Sequence, residues 1–212
     1  MSSQRGADYP SIAALRLLVS SAPARLGRTR LVLVDGPAGS GKTTLAGRLA
    51  AALGCPVLHG DDMYEGWGGL PTLWETLGEQ VLDPLSRGEA ARFRRWDWAR
   101  GERAEWIEVG ALDGRALGGG GADALGADAL GADALVVEGV GVAGRLARPY
   151  ASLVIYVEAP WNVRLARGVE RDGEALRDEW LRWGAAEEPI LIAEGTREAA
   201  DVVIDGTRPI AA

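Results

Sequence analysis

Cysteine and histidine are nearly missing from this sequence: Cys55 and His59 stand alone among 212 residues. A lone cysteine excludes an internal disulfide and any thiolate zinc cluster, and one histidine leaves too little for an imidazole-based metal site. No apolar run is long enough to span a bilayer, and the N-terminus lacks the order of a signal peptide. A basic excess is also absent, because 23 Lys and Arg face 30 Asp and Glu, for a net charge of −7 and a pI near 4.9. That balance leaves no electrostatic footprint for duplex nucleic acid or an anionic membrane, so any polyanion contact should be a focused local site. A cytoplasmic protein is expected. The length suits one α/β domain with a real core and is too short for two comfortable ones.

What is present centres on Gly36-Pro37-Ala38-Gly39-Ser40-Gly41-Lys42-Thr43, which meets the phosphate-binding pattern GxxxxGK[ST] at every fixed position. Arg30 to Asp35 predicts a short buried strand before it, and Lys42 to Leu53 predicts a helix after it. The motif requires that order. Glycines at these positions let the backbone close around a phosphate with its N–H groups inward, and the helix N-terminus adds partial positive charge. Nucleotide contacts are therefore expected from Gly36, Pro37, Ala38, Gly39, Ser40, Gly41, Lys42, Thr43 and Thr44. Lys42 would reach the outer phosphates, and the Thr43 hydroxyl would ligate Mg²⁺.

Earlier in the chain, Ile12, Leu15, Leu18 and Val19 recur at helical spacing and predict a helix from Ser11 to Ser20, capped by Ser11. Pro56 to His59 predicts a second strand, and Asp61-Asp62-Met63-Tyr64 comes off its C-terminal end, where ligands sit in open parallel sheets. A carboxylate there can orient or deprotonate a hydroxyl facing a γ-phosphate, or hold Mg²⁺ through water. Two acids capping a turn is the plainer alternative. His59 is expected to be a packed strand residue.

Leu73, Leu77, Val81 and Leu85 mark one face of a helix from Thr72 to Leu85. Ala91 to Trp98 and Arg103 to Val109 alternate polar and aromatic residues across a short connection, which predicts an antiparallel hairpin. Its Trp and Arg side chains could close over a planar or hydroxylated substrate, or simply brace an exposed ribbon; both readings stay open. From Gly121 to Leu135 the unit Gly-Ala-Asp-Ala-Leu occurs three times, a period that fits neither helix nor strand, so an insertion without functional content is expected. Leu135 to Val140 then predicts a buried strand delivering Glu138 as a second acid beside the phosphate loop. Leu153 to Glu158 and Ala200 to Gly206 supply further strands. Between them, a helix from Asn162 to Asp172 carries Arg164, Arg167 and Arg171 along one side, able to neutralise charge on a transferring group. A solvated basic face would look the same. Trp180 and Trp183 should pack the following helix down.

From about Leu31 to Gly206 these elements, in this order, resemble the uridine kinase and phosphoribulokinase group of P-loop kinases. Asp61-Asp62-Met63-Tyr64 is similar to that group's Asp-Ser-Phe-Tyr, which implies Asp61 as the catalytic carboxylate. Val137-Glu138-Gly139-Val140 resembles its Glu-Gly-Ile segment, which implies Glu138 as a Mg²⁺ holder. Val163 to Asp172 resembles its arginine lid, and Trp96-Asp97-Trp98 falls where the group has its Tyr-Asp-aromatic substrate triplet. Two departures stand out: Gly101 occupies the place of the base-reading His, although Arg103 keeps the following Arg, and the lid is shortened after Asp172.

The expectation is an α/β fold, a P-loop NTPase three-layer sandwich with a mainly five-stranded parallel sheet, a projecting β-hairpin and an arginine lid. It would be one domain over 1–212. Within it lie an N-terminal extension and helix (1–29), a substrate hairpin (90–109), a Gly/Ala/Asp-rich insertion (118–134) and a lid with the following helix (162–183). ATP and Mg²⁺ are the expected cofactors, and a small hydroxylated molecule the partner; oligomerisation is left open. Asp61, Lys42, Arg167 and Arg171 are expected to be catalytic, with Asp62, Tyr64, Trp96, Asp97, Arg103 and Arg164 on the substrate. Thr43, Glu138 and Asp61 would organise the metal. The competing reading is a regulatory NTPase that hydrolyses ATP and acts through a protein partner.

Overall fold

Residue alternation in the strands decides the layers. In β1 (Arg30–Asp35) Leu31 and Leu33 join one buried cluster, while Val32 and Val34 join another on the opposite face. Side chains of a strand point alternately to its two sides, so a strand apolar at every position must be covered on both. The computed structural model describes residues 10–110 and 133–212. The remaining strands are β2 (Val57–His59), β3 (Ala91–Asp97), β4 (Glu102–Val109), β5 (Ala134–Glu138), β6 (Ala151–Glu158) and β7 (Val202–Asp205). Five of them form a sheet of order β2-β5-β1-β6-β7, with every neighbouring pair parallel. This is the expected α/β architecture, with β1 at the centre. The insertion expected over 118–134 and most of its repeats lie outside the described residues, but Leu135 is fully buried in β5, opposite Leu31.

One face is covered by α1 (Ile12–Ser21) and α2 (Lys42–Leu53), whose Leu15, Val19, Leu45 and Leu49 meet Val32, Val136 and Ile155. The Ser11 hydroxyl caps α1 by accepting from the Ala14 N–H at 3.1 Å. The other face is covered by a helical stretch beginning at Leu70 and by α6 (Arg177–Glu194), with α5 (Trp161–Asp172) at the C-terminal edge of the sheet. Among the described residues no helix is long and apolar enough to cross a membrane.

The regular helix expected from Thr72 to Leu85 is instead broken into α3 (Leu73–Thr76), a π-helical turn (Leu77–Leu82) and α4 (Asp83–Ser86). The cause lies in the spacing of four between Leu73, Leu77, Val81 and Leu85. Steps of four overrun a 3.6-residue turn, and a wider π turn restores their alignment. All four are buried.

The strands β3 and β4 pair antiparallel as a separate hairpin, rooted in the core by Ala91, Phe93 and Val109. Its exposed face carries Trp106 with the Arg92 guanidinium 4.7 Å above the ring. Ribbon bracing therefore accounts for Trp106.

Two helical glycines should respond oppositely to a methyl group. At Gly78 an added Cβ would lie 2.3 Å from the Trp74 ring, whereas at Gly47 it meets nothing within 4 Å. Gly78→Ala should cost about 1–3 kcal/mol by overpacking, and Gly47→Ala should add about 0.5–1 kcal/mol through helix propensity. Urea unfolding of the two variants measures both signs.

Candidate functional site

The loop between β1 and α2 can be built only with glycine at two places. Gly36 and Gly39 have φ of 134° and 76°. A Cβ would sit 2.1 Å from the Val157 carbonyl oxygen at the first and 2.6 Å from the Arg164 carbonyl oxygen at the second. Gly41 caps α2 in the left-handed region without a side-chain acceptor, so the first-turn amides remain open to an outside anion. Lys42, the only lysine of the chain, is buried and donates to the Pro37 carbonyl at 3.0 Å, arched over the loop.

Not every expected loop contact is available. The Gly36 amide donates to the Asp35 carboxylate at 2.6 Å, the Ala38 amide to Glu187 at 2.8 Å and the Ser40 amide to the Pro37 carbonyl at 3.2 Å; Pro37 has no amide. The amides left for phosphate are those of Gly39, Gly41, Lys42, Thr43 and Thr44. Ser40 keeps its side chain in the loop, with its Oγ buried and without a hydrogen-bond partner.

Two acids meet this loop from neighbouring strand ends. Glu138 closes β5, and its Oε1 accepts from the Thr43 hydroxyl at 3.2 Å. The same oxygen lies 2.7 Å from His59 Nδ1. His59 is thus not the packed strand residue expected from the sequence: its half-exposed ring leans on Glu138, and that hydrogen bond raises its pKa. Asp61 follows β2 in the turn Gly60–Asp62 and lines a cleft of about 400 Å³ together with Gly39, Lys42, Thr43 and Glu138. It opens to solvent through the cleft mouth, yet the surrounding protein desolvates its carboxyl and pushes the pKa up, with Lys42 pulling the other way. A hydroxyl beside a carboxylate at a helix start is an oxygen donor set that suits Mg²⁺, which prefers few protein ligands alongside phosphate and water.

The structure separates the remaining expected residues. Arg171 and Asp172 line the cleft as a bidentate pair at 2.7 and 2.9 Å. Arg167 donates to the carbonyls of Gly39 and Gly206, and Arg164 to Glu187 and the Ala38 carbonyl. Both brace the outer side of the loop instead of entering the cleft, because their short helical spacing lays them along the loop and only the last turn of α5 reaches past it. Tyr64 lines the cleft, but its hydroxyl is spent on the Val140 carbonyl at 2.5 Å. Asp62 is half-buried behind the turn, where burial raises its pKa.

Three hairpin residues expected on the substrate do not reach the cleft. Trp96 packs over Gly66, with the Arg103 guanidinium 5.9 Å from its ring. Arg103 is engaged by Glu65 and the Arg94 carbonyl, and Asp97 accepts the amides of Ala99 and Arg100 in a turn. Trp98 enters instead, its Nε1–H donating to the Asp61 carbonyl at 2.9 Å. A register shift between Arg94 and Trp96, and the end of β3 at Asp97, break the alternation that would have kept the two tryptophans equivalent.

Two buried acids were missed. Asp35 is fully buried and accepts the amides of Gly36, Gly141 and Ala143 at 2.6–2.8 Å. Its signal was an acid ending an otherwise apolar strand. Glu187 is also buried, and holds the Ala38 amide, Arg164 and the Trp183 indole N–H. Its spacing of four from both Trp183 and Leu191 placed it on a buried helix face.

No protein-family model matches the sequence, and no curated protein does. Solved structures do. A possible uridine kinase from Bacillus stearothermophilus aligns over 92% of this chain and 97% of its own, with a TM-score of 0.61 and 21% identity. A candidate fructose transport system kinase from Silicibacter sp. TM1040 aligns over 92% and 98%, with a TM-score of 0.57 and 21% identity. The chain shares the α/β fold of these two proteins. At that identity the likeness is one of fold, and it agrees with the uridine kinase-like resemblance of the sequence motifs.

Burial pushes the Asp35 carboxyl up to about 6 from an ordinary value of 3.8, against the pull of its three amides and Lys42. Between those values the native state holds a proton that the unfolded chain has lost, so stability falls as pH rises across the window. The difference in unfolding free energy between wild type and Asp35→Asn should shift against wild type by about 2 kcal/mol from pH 4 to 7. Denaturant melts of both proteins across that range check the sign.

Proposed function

We propose that the protein is an ATP-dependent phosphotransferase that moves the γ-phosphoryl group onto a hydroxyl of a small molecule. The observation that carries this reading is the convergence of Lys42, Thr43, Glu138 and Asp61 on one cleft at the mouth of the phosphate loop. A loop used only as a turn would not bring a buried lysine and two strand-end acids together.

In this reading the amides of Gly39, Gly41, Lys42, Thr43 and Thr44 and the Lys42 side chain hold the phosphates of ATP, while Thr43 and Glu138, with Asp61 nearby, would hold Mg²⁺. When bound, the metal would supply charge neutralisation on the phosphates. Asp61 orients the acceptor hydroxyl and takes its proton as the oxygen bonds to the γ-phosphorus. The bond from that phosphorus to the bridging oxygen breaks, leaving ADP and a phosphate monoester. Its raised pKa suits a group that must receive a proton. Arg171, at the far side of the cleft, neutralises charge on the transferring group, and Arg164 and Arg167 act by keeping the loop in shape. The two fold neighbours bear kinase names, which supports the same reading.

Asp61→Asn should lower the turnover of ATP-dependent phosphorylation by about 10²–10⁴-fold, with ATP binding measured by calorimetry close to wild type. Unchanged turnover would remove Asp61 from the mechanism. Because Lys42 is the only lysine, an acyl-phosphate ATP probe has one side-chain amine to label, and Mg-ATP should protect it. A screen of hydroxylated metabolites by mass spectrometry tests the acceptor. Release of inorganic phosphate without any phosphorylated product would favour the regulatory NTPase instead.

A further inference from the structure

The acceptor end of the cleft is walled by tryptophan. Trp67 stands at its centre, with ring centroids 5.4 Å from Trp98, 6.5 Å from Trp180 and 5.8 Å from Trp183, all edge-on. Tyr64 closes the wall 5.5 Å from Trp183. Trp98 is 41% exposed and Trp67 half-buried, so these two offer ring surface to a ligand, while Trp180, Trp183 and Tyr64 are buried behind them.

Most hydrogen-bonding groups of this wall are already spent, three of its four indole N–H groups among them, the exception being that of Trp67. An indole has one N–H donor and no acceptor. That of Trp98 goes to the Asp61 carbonyl at 2.9 Å, that of Trp180 to Asp172 at 3.0 Å and that of Trp183 to Glu187 at 2.9 Å. The Tyr64 hydroxyl donates to the Val140 carbonyl. Both Asp172 oxygens are bonded to Arg171. At the hairpin tip, a Cβ added at Gly101 would meet nothing within 4 Å, and the glycine itself brings no reading group to the wall. A nucleobase edge or a ring of sugar hydroxyls buried here would lose its water partners and find few replacements, a loss that sites built for such ligands avoid.

We infer that the acceptor is an alcohol carried on a flat, apolar body, aromatic or alicyclic, that lies against Trp98 and Trp67 and turns its hydroxyl toward Asp61. This rests on the phosphotransferase reading for the chemistry at Asp61. The recognition depends only on the wall. Specificity then comes from shape and ring contact, with Asp61 as the polar group that fixes direction.

The experiment separates the two. Indole-3-ethanol, cyclohexylmethanol, choline, uridine and fructose are each titrated calorimetrically into the full chain saturated with Mg²⁺ and a non-hydrolysable ATP analogue. The same five are then assayed for phosphorylated product with Mg-ATP. Indole-3-ethanol and cyclohexylmethanol should bind at least about tenfold more tightly than the other three. Trp98→Ala should weaken their binding by about tenfold without changing the affinity for the ATP analogue. Trp98→Phe, which keeps a ring and loses the N–H, should restore most of it. Preference for uridine, fructose or choline, binding of neither apolar alcohol, or indifference to Trp98→Ala would overturn the inference, whatever the phosphotransfer assay shows. Binding of the apolar alcohols without phosphate transfer upholds the wall and counts against the phosphotransferase reading alone.

Discussion

A carboxylate sealed from water fixes where the phosphate loop begins. Asp35 accepts one amide from the loop and two from the turn after β5, so both segments share an anchor. Hydrogen bonds to an ionised group are roughly twice as strong as neutral ones, yet removing the charge from water costs several kcal/mol in practice. The upward shift of its pKa shows that desolvation is the larger effect. What the arrangement provides is geometry: the strand end that carries Glu138 and the helix start that carries Thr43 cannot drift apart. Their 3.2 Å contact follows from it.

Glu187 holds the same loop from the other side. Its carboxylate binds the Ala38 amide, the Arg164 guanidinium and the Trp183 indole, joining the loop, α5 and the aromatic wall through one side chain. Burial raises its pKa while the Ala38 amide and Arg164 lower it, the balance expected of a desolvated acid with good partners. Removing one partner of such a group strands the others, and that is more damaging than replacing the whole cluster by apolar residues. The loop is therefore held from both sides, by Asp35 and by Glu187.

Much of this was legible in the chain. The parallel sheet, the helix over 42–53, the Ser11 cap and the hairpin follow from patterns in which local chemistry and global fold agree, such as an unbroken apolar strand followed by a glycine turn. The convergence of Asp61 and Glu138 on the loop was also readable, because both acids end strands on the side where a parallel sheet holds its ligands. Asp35 and Glu187 were not picked out. A buried acid is exceptional unless paired, and the amides that satisfy these two come from segments distant in sequence. Arg164 and Arg167 were misplaced for a related reason: spacing puts three guanidinium groups on one side of α5 but says nothing of what that side faces at each turn.

The tryptophans show where sequence reasoning stops being informative. Trp67, Trp98, Trp180 and Trp183 come from a loop, a hairpin turn and a helix, and an aromatic side chain in any of these is ordinarily core. Trp96 and Trp98 are two residues apart, which in a regular strand gives them the same face and the same role. One register shift and the end of β3 undo that equivalence, sending Trp96 to Gly66 and Trp98 to Asp61. The distinction between a core indole and a recognition surface lies in where each N–H goes and which ring face stays open. Here three N–H groups are bound inward while Trp98 remains 41% exposed. A wall with most of its polar atoms turned into the protein discriminates mainly by shape and contact area, and less by hydrogen bonding.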